Sequence, residues 1–86
     1  MFDKTTSYSV SIINDALIEC TLKEVYLSLK EKGYDPINQI TGYLMSGDPG
    51  YISSYKDARK KIVSIDRNKI IDFLVSKFLG DESWDI

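Results

Sequence analysis

The sequence contains no histidine and only one cysteine, Cys20, and both shortages restrict the chemistry that the chain can perform. A single cysteine cannot form an intramolecular disulfide, and the usual zinc sites cannot be assembled without histidine. Histidine is also the commonest general base near neutral pH and the usual activator of a serine or cysteine nucleophile. We therefore predict that the protein is not an enzyme and holds neither a metal nor a cofactor.

Long apolar runs are also missing from the 86 residues. No stretch approaches the ~20 apolar residues that a membrane span needs, and the first residues lack the pattern of a secretory signal. These absences predict a soluble, cytoplasmic protein without membrane insertion. A chain of this length buries only roughly 60–65% of its unfolded surface, so its core alone gives a thin margin of stability and a partner subunit would help.

Charge is unevenly distributed along the chain, although the net charge is only −2. Residues 55–70 hold six basic side chains against two acidic ones, which leaves a net charge of −6 for the remainder. Such a run is usually a solvated helix face, and otherwise it is a docking patch for phosphate or acidic groups. In the second interpretation Arg59, Lys60 and Lys61 are the residues that would bind phosphate.

The N-terminal segment, residues 1–13, has a pattern of its own. Polar and apolar residues alternate strictly over residues 7–12, which places Tyr8, Val10 and Ile12 on one face of an extended chain. An extended segment here either pairs with a second copy or lies on the helices, because unpaired backbone groups must stay hydrated. A flexible tail is the other interpretation.

Residues 14–80 carry helical patterns throughout. The first helix begins either at about Asp15 or only at Thr21, where a capping box starts. It ends at Gly33, which suits the left-handed conformation that closes a helix. Asp35-Pro36 and Asp48-Pro49 are two copies of one helix start, with a capping carboxylate followed by a proline preset for the first helical position.

Two more helices are predicted after these starts. One covers about Ser54 to Ser64, with Tyr55, Ala58 and Ile62 facing inward, and the last one is opened by Asp66 and closed at Gly80. The apolar face of the last helix is broad enough to suggest burial on more than one side. The fold class is therefore all-α, a compact bundle of about four to five short helices over residues 14–80, followed by an acidic tail over 81–86.

The segment between Gly33 and Ile52 contains residues that turn chemistry and burial do not fully explain. Helix ends account for its glycines and prolines, and burial accounts for several of its apolar residues. Tyrosine is favoured at interfaces because its ring combines a large apolar area with a polar tip. The candidates for a dimer or partner interface are Tyr34, Ile37, Asn38, Gln39 and Tyr43.

Family resemblance is carried mainly by residues 31–52, which read EKGYDPINQITGYLMSGDPGYI. This stretch closely resembles the central motif of the IreB family of small regulators from low-GC Gram-positive bacteria. The resemblance extends more weakly over residues 2–5, Ala58-Arg59 and the apolar C-terminal helix. Departures cluster in residues 10–21 and in residues 53–69, where Asp57 replaces a common asparagine. A further departure is Gly50, where alanine is usual.

The resemblance implies a small regulator rather than a catalyst. The family consists of all-helical homodimers that a membrane-anchored Ser/Thr kinase phosphorylates on an N-terminal threonine and a partner phosphatase dephosphorylates, in the control of cell-wall stress responses. By position, Thr5 resembles the family's phosphoacceptor, and Thr6 is the neighbouring alternative. The resemblance names the kinase and phosphatase as partners and leaves the downstream protein unidentified.

Two other functions are weighed against regulation. Two short helices around a glycine-containing turn, followed by basic residues, are compatible with a helix-turn-helix that binds nucleic acid, but the acidic pI near 4.9 argues against it. The segment from Ser46 to Gly50 could cradle phosphate, but it lacks the Lys-Ser/Thr ending of a nucleotide-binding loop and Asp48 would repel the anion. Helix capping is the favoured interpretation of that segment.

Overall fold

Four α-helices form the part of the chain that the computed structural model describes, which is the backbone of residues 2–80 and the side chains of residues 14–80. They are α1 (Phe2–Lys32), α2 (Pro36–Ser46), α3 (Ala58–Val63) and α4 (Arg67–Leu79). Two 3-10 turns, Pro49–Tyr51 and Tyr55–Asp57, lie between α2 and α3. No strand occurs among these residues, so the all-α prediction is confirmed.

The prediction of an extended N-terminal segment is wrong, because α1 begins at Phe2 and runs without interruption for 31 residues. Neither glycine nor proline occurs between residues 2 and 32, so no residue stops the helix from extending back past Thr21. The alternation over residues 7–12 spans less than two helical turns, and such a short pattern does not exclude a helix. Helix α1 is also longer than the short helices that were expected.

The predicted helix ends between α1 and α2 are confirmed. Gly33 has a φ of 94°, and the amide of Tyr34 donates to the Leu29 carbonyl at 3.0 Å, which closes α1. Asp35 caps α2 by accepting the Asn38 amide at 3.2 Å. Helix α2 therefore starts at the predicted Asp-Pro pair.

The end of α2 is tied to the start of α4. Gly47 closes α2 with a φ of 77°, and Nη1 of Arg67 donates to the Leu44 carbonyl at 2.9 Å. A Cβ atom on Gly47 would lie 2.8 Å from Nη2 of Arg67. Glycine is thus required here both for its left-handed backbone and for the close approach of the guanidinium group.

The helix predicted from Ser54 to Ser64 is interrupted in its first turn. Lys56 and Asp57 adopt left-handed backbone conformations with φ values of 51° and 62°, and regular α3 begins only at Ala58. This conformation costs roughly 1–2 kcal/mol for a residue other than glycine, so the surrounding contacts must hold it. Ala58 and Ile62 are buried as expected, whereas Tyr55 is half-buried.

The core joins every α-helix of the described chain around one apolar cluster. Its completely buried members are Val25, Leu29, Ile52, Ala58, Ile62 and Ile70. Ile18 and Tyr43 are nearly as buried, and Leu22, Ile40, Leu44, Ile65 and Phe73 pack around the cluster. Since α1 supplies Ile18, Val25 and Leu29, its C-terminal half is the support on which the shorter elements pack.

Candidate docking surfaces

The first turn of α2 and the residue before its cap expose three of the five residues predicted for an interface. Tyr34 and Asn38 are exposed, and the side chain of Ile37 is 64% exposed. Exposure of an isoleucine to this extent leaves apolar area that a partner could cover. These three residues remain available for contact on the surface of a single chain.

The other two predicted interface residues have roles inside the chain. Oε1 of Gln39 accepts the Ser53 amide at 3.1 Å, which attaches the loop after α2 to the helix itself. Tyr43 is only 4% exposed and belongs to the core. Packing within one chain therefore accounts for Tyr43, whereas Gln39 is half-buried and has a hydrogen-bond partner in its own chain.

An apolar groove of about 320 Å³ lies where α1, α2 and α4 meet. Its apolar lining consists of Leu22, Tyr26, Ile37, Ile40, Leu44 and Leu74, joined by Lys23 and Thr41. Ile37, which is 64% exposed, forms part of this lining. The groove therefore extends the exposed apolar area of α2 towards α4.

Helix α4 presents most of its apolar residues to the surface of the chain. Only Ile70 is fully buried, and Phe73 packs against the core. The exposed members are Ile71, Leu74, Val75, Phe78 and Leu79. Leu74 also lines the groove, so the groove and this α4 face form one continuous surface, which we call the α2–α4 apolar surface.

The basic stretch of residues 55–70 is partly used within the chain. Nζ of Lys56 lies 2.8 Å from Glu31, and Nζ of Lys61 lies 3.5 Å from Glu24. Arg67 caps α2, as described above. Of the three residues predicted to dock phosphate, Lys61 is therefore already beside a carboxylate.

Arg59 is held by two backbone carbonyls of the preceding loop. Its Nε donates to the carbonyl oxygens of Pro49 at 3.1 Å and Ile52 at 2.9 Å. Arg59 and Lys60 line a cleft of about 350 Å³ together with Pro49, Ser54, Asp57 and Val63. We call this feature the Arg59 cleft, and it contains two of the three predicted phosphate-docking residues.

Glu31, at the end of α1, braces the left-handed turn before α3. Its carboxylate accepts from Nζ of Lys56 at 2.8 Å and from the Tyr55 hydroxyl at 3.1 Å. Two ammonium groups lie near the Tyr55 ring, with Nζ of Lys32 at 5.1 Å and Nζ of Lys56 at 5.6 Å from its centroid. These contacts connect the end of α1 to the strained residues.

The hydrogen bond from Lys56 lowers the pKa of Glu31 below its ordinary value of 4.5, and the Tyr55 hydroxyl lowers it further. A carboxylate with a lowered pKa contributes stability above its unfolded pKa and loses it as the pH falls through the folded value. We expect the Lys56→Gln variant to raise the pKa of Glu31, as measured by NMR titration of its side-chain carboxyl carbon.

Lys60→Gln is the matched control for this titration, because Lys60 has no partner among the described residues and does not contact Glu31. The Lys60→Gln variant should have the same Glu31 pKa as the wild type. Equal titration of Glu31 in the wild type and the Lys56→Gln variant would show that the brace does not form in solution.

The loop between α2 and α3 has the geometry of a cap. Oδ1 of Asp48 accepts the Gly50 amide at 2.8 Å, and Oγ of Ser46 accepts the Asp48 amide at 3.0 Å. These amides are satisfied by side chains of the loop, so the prediction of helix capping over residues 46–50 is confirmed.

The helix-turn-helix alternative receives no support from the helix lengths. The element that follows the Gly47 turn is a 3-10 turn of three residues, and α3 has only six. A recognition helix in the major groove needs several side chains along one face, which a three-residue turn cannot present.

The described residues contain neither a cluster that could hold a metal ion nor a helix that could span a membrane. Among those residues, no group of three or more cysteine, aspartate or glutamate side chains is placed to hold a metal ion. Within the same range, no helix combines the length and apolar character needed to cross a bilayer.

Comparison with protein families gives one match that covers most of the chain. The model of the family described as IreB regulatory phosphoprotein matches residues 3–80. The matched range includes all four helices almost completely, both threonines near the start of α1, the α2–α4 apolar surface and the Arg59 cleft.

Proposed function

Since the chain belongs to the IreB family of regulatory phosphoproteins, we propose that it is a switch that a Ser/Thr protein kinase phosphorylates on Thr5 or Thr6. A cognate phosphatase removes the phosphate, and the protein acts without catalysis on an unidentified downstream protein in the cytoplasm. The process that it controls is the response to cell-wall stress, including antibiotic resistance. The observation that carries this proposal is the family match, which spans both threonines.

The position of the two threonines in α1 supports their role as acceptors. Thr5 and Thr6 lie in the first two turns of a helix whose first residue is Phe2. Helix ends fray at little cost, so a kinase can reach this segment without opening the core. The added charge of about −1.5 to −2 then changes what this end of α1 can contact.

Homodimerisation through the α2–α4 apolar surface completes the proposal. Five exposed apolar side chains on α4 lie beside an apolar groove of the same chain, so two copies related by a two-fold axis can each offer a helix face and a groove. Ile37 and Asn38 in the first turn of α2, together with Tyr34 just before its cap, extend the same contact. A dimer formed in this way covers apolar area that a small single chain leaves in water.

Kinase treatment of the full-length protein tests the switch. We expect one phosphate per chain on Thr5 or Thr6, located by peptide mass spectrometry, and its removal by a Ser/Thr phosphatase. The Thr5→Val, Thr6→Val double variant should take up no phosphate, because valine has the shape of threonine without the hydroxyl group. Phosphate on a residue outside the N-terminal segment, or equal labelling of the double variant, would overturn the assignment.

A further inference from the structure

The Arg59 cleft contains a guanidinium group that is already oriented. Nε of Arg59 donates to two carbonyl oxygens, at 3.1 and 2.9 Å, and neither terminal nitrogen has a partner among the described residues. Fixing Nε restricts the rotation of the guanidinium plane, so binding an anion through the terminal nitrogens loses less side-chain entropy. An arginine held in this way can form two parallel hydrogen bonds with phosphate.

The remaining residues of the cleft are compatible with a phosphorylated side chain. Lys60 adds an ammonium group that has no partner among the described residues, and the Ser54 hydroxyl group adds a further donor. Pro49 and Val63 add apolar surface that suits a threonine methyl group. Asp57 is the one acidic residue of the lining, so the cleft carries a net positive charge.

We propose that the Arg59 cleft binds the phosphorylated N-terminal segment of a second copy of this chain. This inference rests on the proposed phosphorylation of Thr5 or Thr6. A phosphothreonine supplies the charge of about −2, the acceptor oxygens and the methyl group that this lining complements. The cleft of one copy thereby binds the phosphothreonine of another copy.

The geometry of α1 favours a second copy over the same chain. Lys61, which directly follows Arg59 and Lys60 in the sequence, lies beside Glu24 of α1. This contact shows that α3 lies alongside the part of α1 near Glu24. Thr5 lies 19 residues earlier in the same continuous helix, which is about 28 Å at 1.5 Å per residue. A phosphate on intact α1 therefore cannot reach the cleft of its own chain.

Peptide binding to the full-length protein tests the proposal directly. The probe is a synthetic peptide of residues 1–13 with phosphothreonine at position 5, compared with the unmodified peptide and with inorganic phosphate. We expect only the phosphopeptide to shift the NMR signals of the Ser54, Lys60 and Val63 amides at low concentration. Because one charge-assisted contact is worth about tenfold or more in affinity, Lys60→Glu should weaken binding by at least that factor.

Matched variants separate recognition from general electrostatics. Lys69→Glu makes the same change of charge on α4, beside Asn14 and Leu17 instead of the cleft, and should alter the affinity less than about threefold. Arg59→Lys keeps the charge but loses the pair of terminal nitrogens that can form two parallel hydrogen bonds with phosphate, so it should also weaken binding. If the Arg59→Lys protein unfolds, Lys60→Glu still tests the proposal, because the Lys60 side chain has no hydrogen bond or ion pair with the described residues.

Three results would overturn the proposal. They are equal affinity for the modified and unmodified peptides, equal losses for Lys60→Glu and Lys69→Glu, and an equal effect of inorganic phosphate at the same concentration. The synthetic phosphothreonine makes this test independent of the kinase. Failure of kinase labelling would therefore remove the proposed function, whereas failure of peptide binding would remove only the cleft.

Contact between copies is tested with mixed proteins. Phosphorylated Lys60→Glu protein, mixed with unmodified wild-type protein carrying a ¹⁵N label, should shift the cleft signals of the labelled chain. In the reverse mixture, phosphorylated wild-type protein is added to unmodified Lys60→Glu protein that carries the ¹⁵N label. The cleft signals of the labelled chain should then stay in place. Equal spectra for the two mixtures would contradict binding of the segment in the cleft of a second copy.

Discussion

Replacing Leu29 with alanine is expected to destabilise the protein by about 3 kcal/mol. Leu29 is completely buried in the cluster that joins α1 to the shorter elements, so the truncation removes apolar contacts and leaves a cavity. A small domain has a total stability of roughly 5 kcal/mol, so this loss should leave a measurable unfolded fraction. Urea unfolding followed by circular dichroism measures the change.

Leu27→Ala is the matched control on the same helix. The Leu27 side chain is 63% exposed, two residues from Leu29, and its truncation should cost about 0.5 kcal/mol or less. Both variants must be measured at one protein concentration, because a dimer gains stability by mass action. Equal losses at the two positions would show that the buried face of α1 is not the one described.

Introducing a charge at Val75 is expected to raise the dissociation constant of the dimer by about 100-fold or more. Val75 is 50% exposed in the middle of the α4 face, and in the proposed dimer the glutamate of Val75→Glu would be buried without a partner. An uncompensated charge in an interface costs about 3 kcal/mol or more, which corresponds to that factor. Sedimentation equilibrium distinguishes a chain of 9.8 kDa from a species of twice that mass.

Val63→Glu makes the same substitution at a similar exposure of 44% on α3, outside the α2–α4 apolar surface. Val63 lines the Arg59 cleft, which in our proposal binds a second copy only after phosphorylation, so Val63→Glu should leave the dimer of the unphosphorylated protein intact. A wild-type protein that remains monomeric at tens of micromolar would remove the dimer altogether. A Val75→Glu protein that still dimerises as tightly as the wild type would remove only its proposed location.

Local chemistry explains which elements could be predicted from the sequence. Asp35-Pro36 and Gly47 act through their own backbone and nearest neighbours, so the bounds of α2 follow from a few residues. The first helix was harder to predict, because alternation over residues 7–12 suggested an extended segment where α1 is continuous. Absence of glycine and proline over residues 2–32 was the signal for one long helix.

Contacts between distant residues explain what could not be predicted. The left-handed pair Lys56 and Asp57 carries no glycine, and Lys56 is held by Glu31, 25 residues earlier. Arg59 was chosen as a candidate for its charge, whereas its attachment to the carbonyls of Pro49 and Ile52 depends on the loop that it binds. Tyr43 was chosen as an interface residue because tyrosine suits interfaces, yet the same ring fills the core.

Phosphate mapping on the protein isolated from its own cells, before and after treatment with a cell-wall antibiotic, tests the regulatory claim most directly. We expect phosphate on Thr5 or Thr6, with an occupancy that changes on treatment. A strain carrying the Thr5→Val, Thr6→Val protein should differ from the wild type in antibiotic resistance. Two results together would contradict the regulatory claim. The protein would carry no phosphate in residues 1–13 under both conditions, and cells with the wild-type protein and cells with the double variant would be equally resistant.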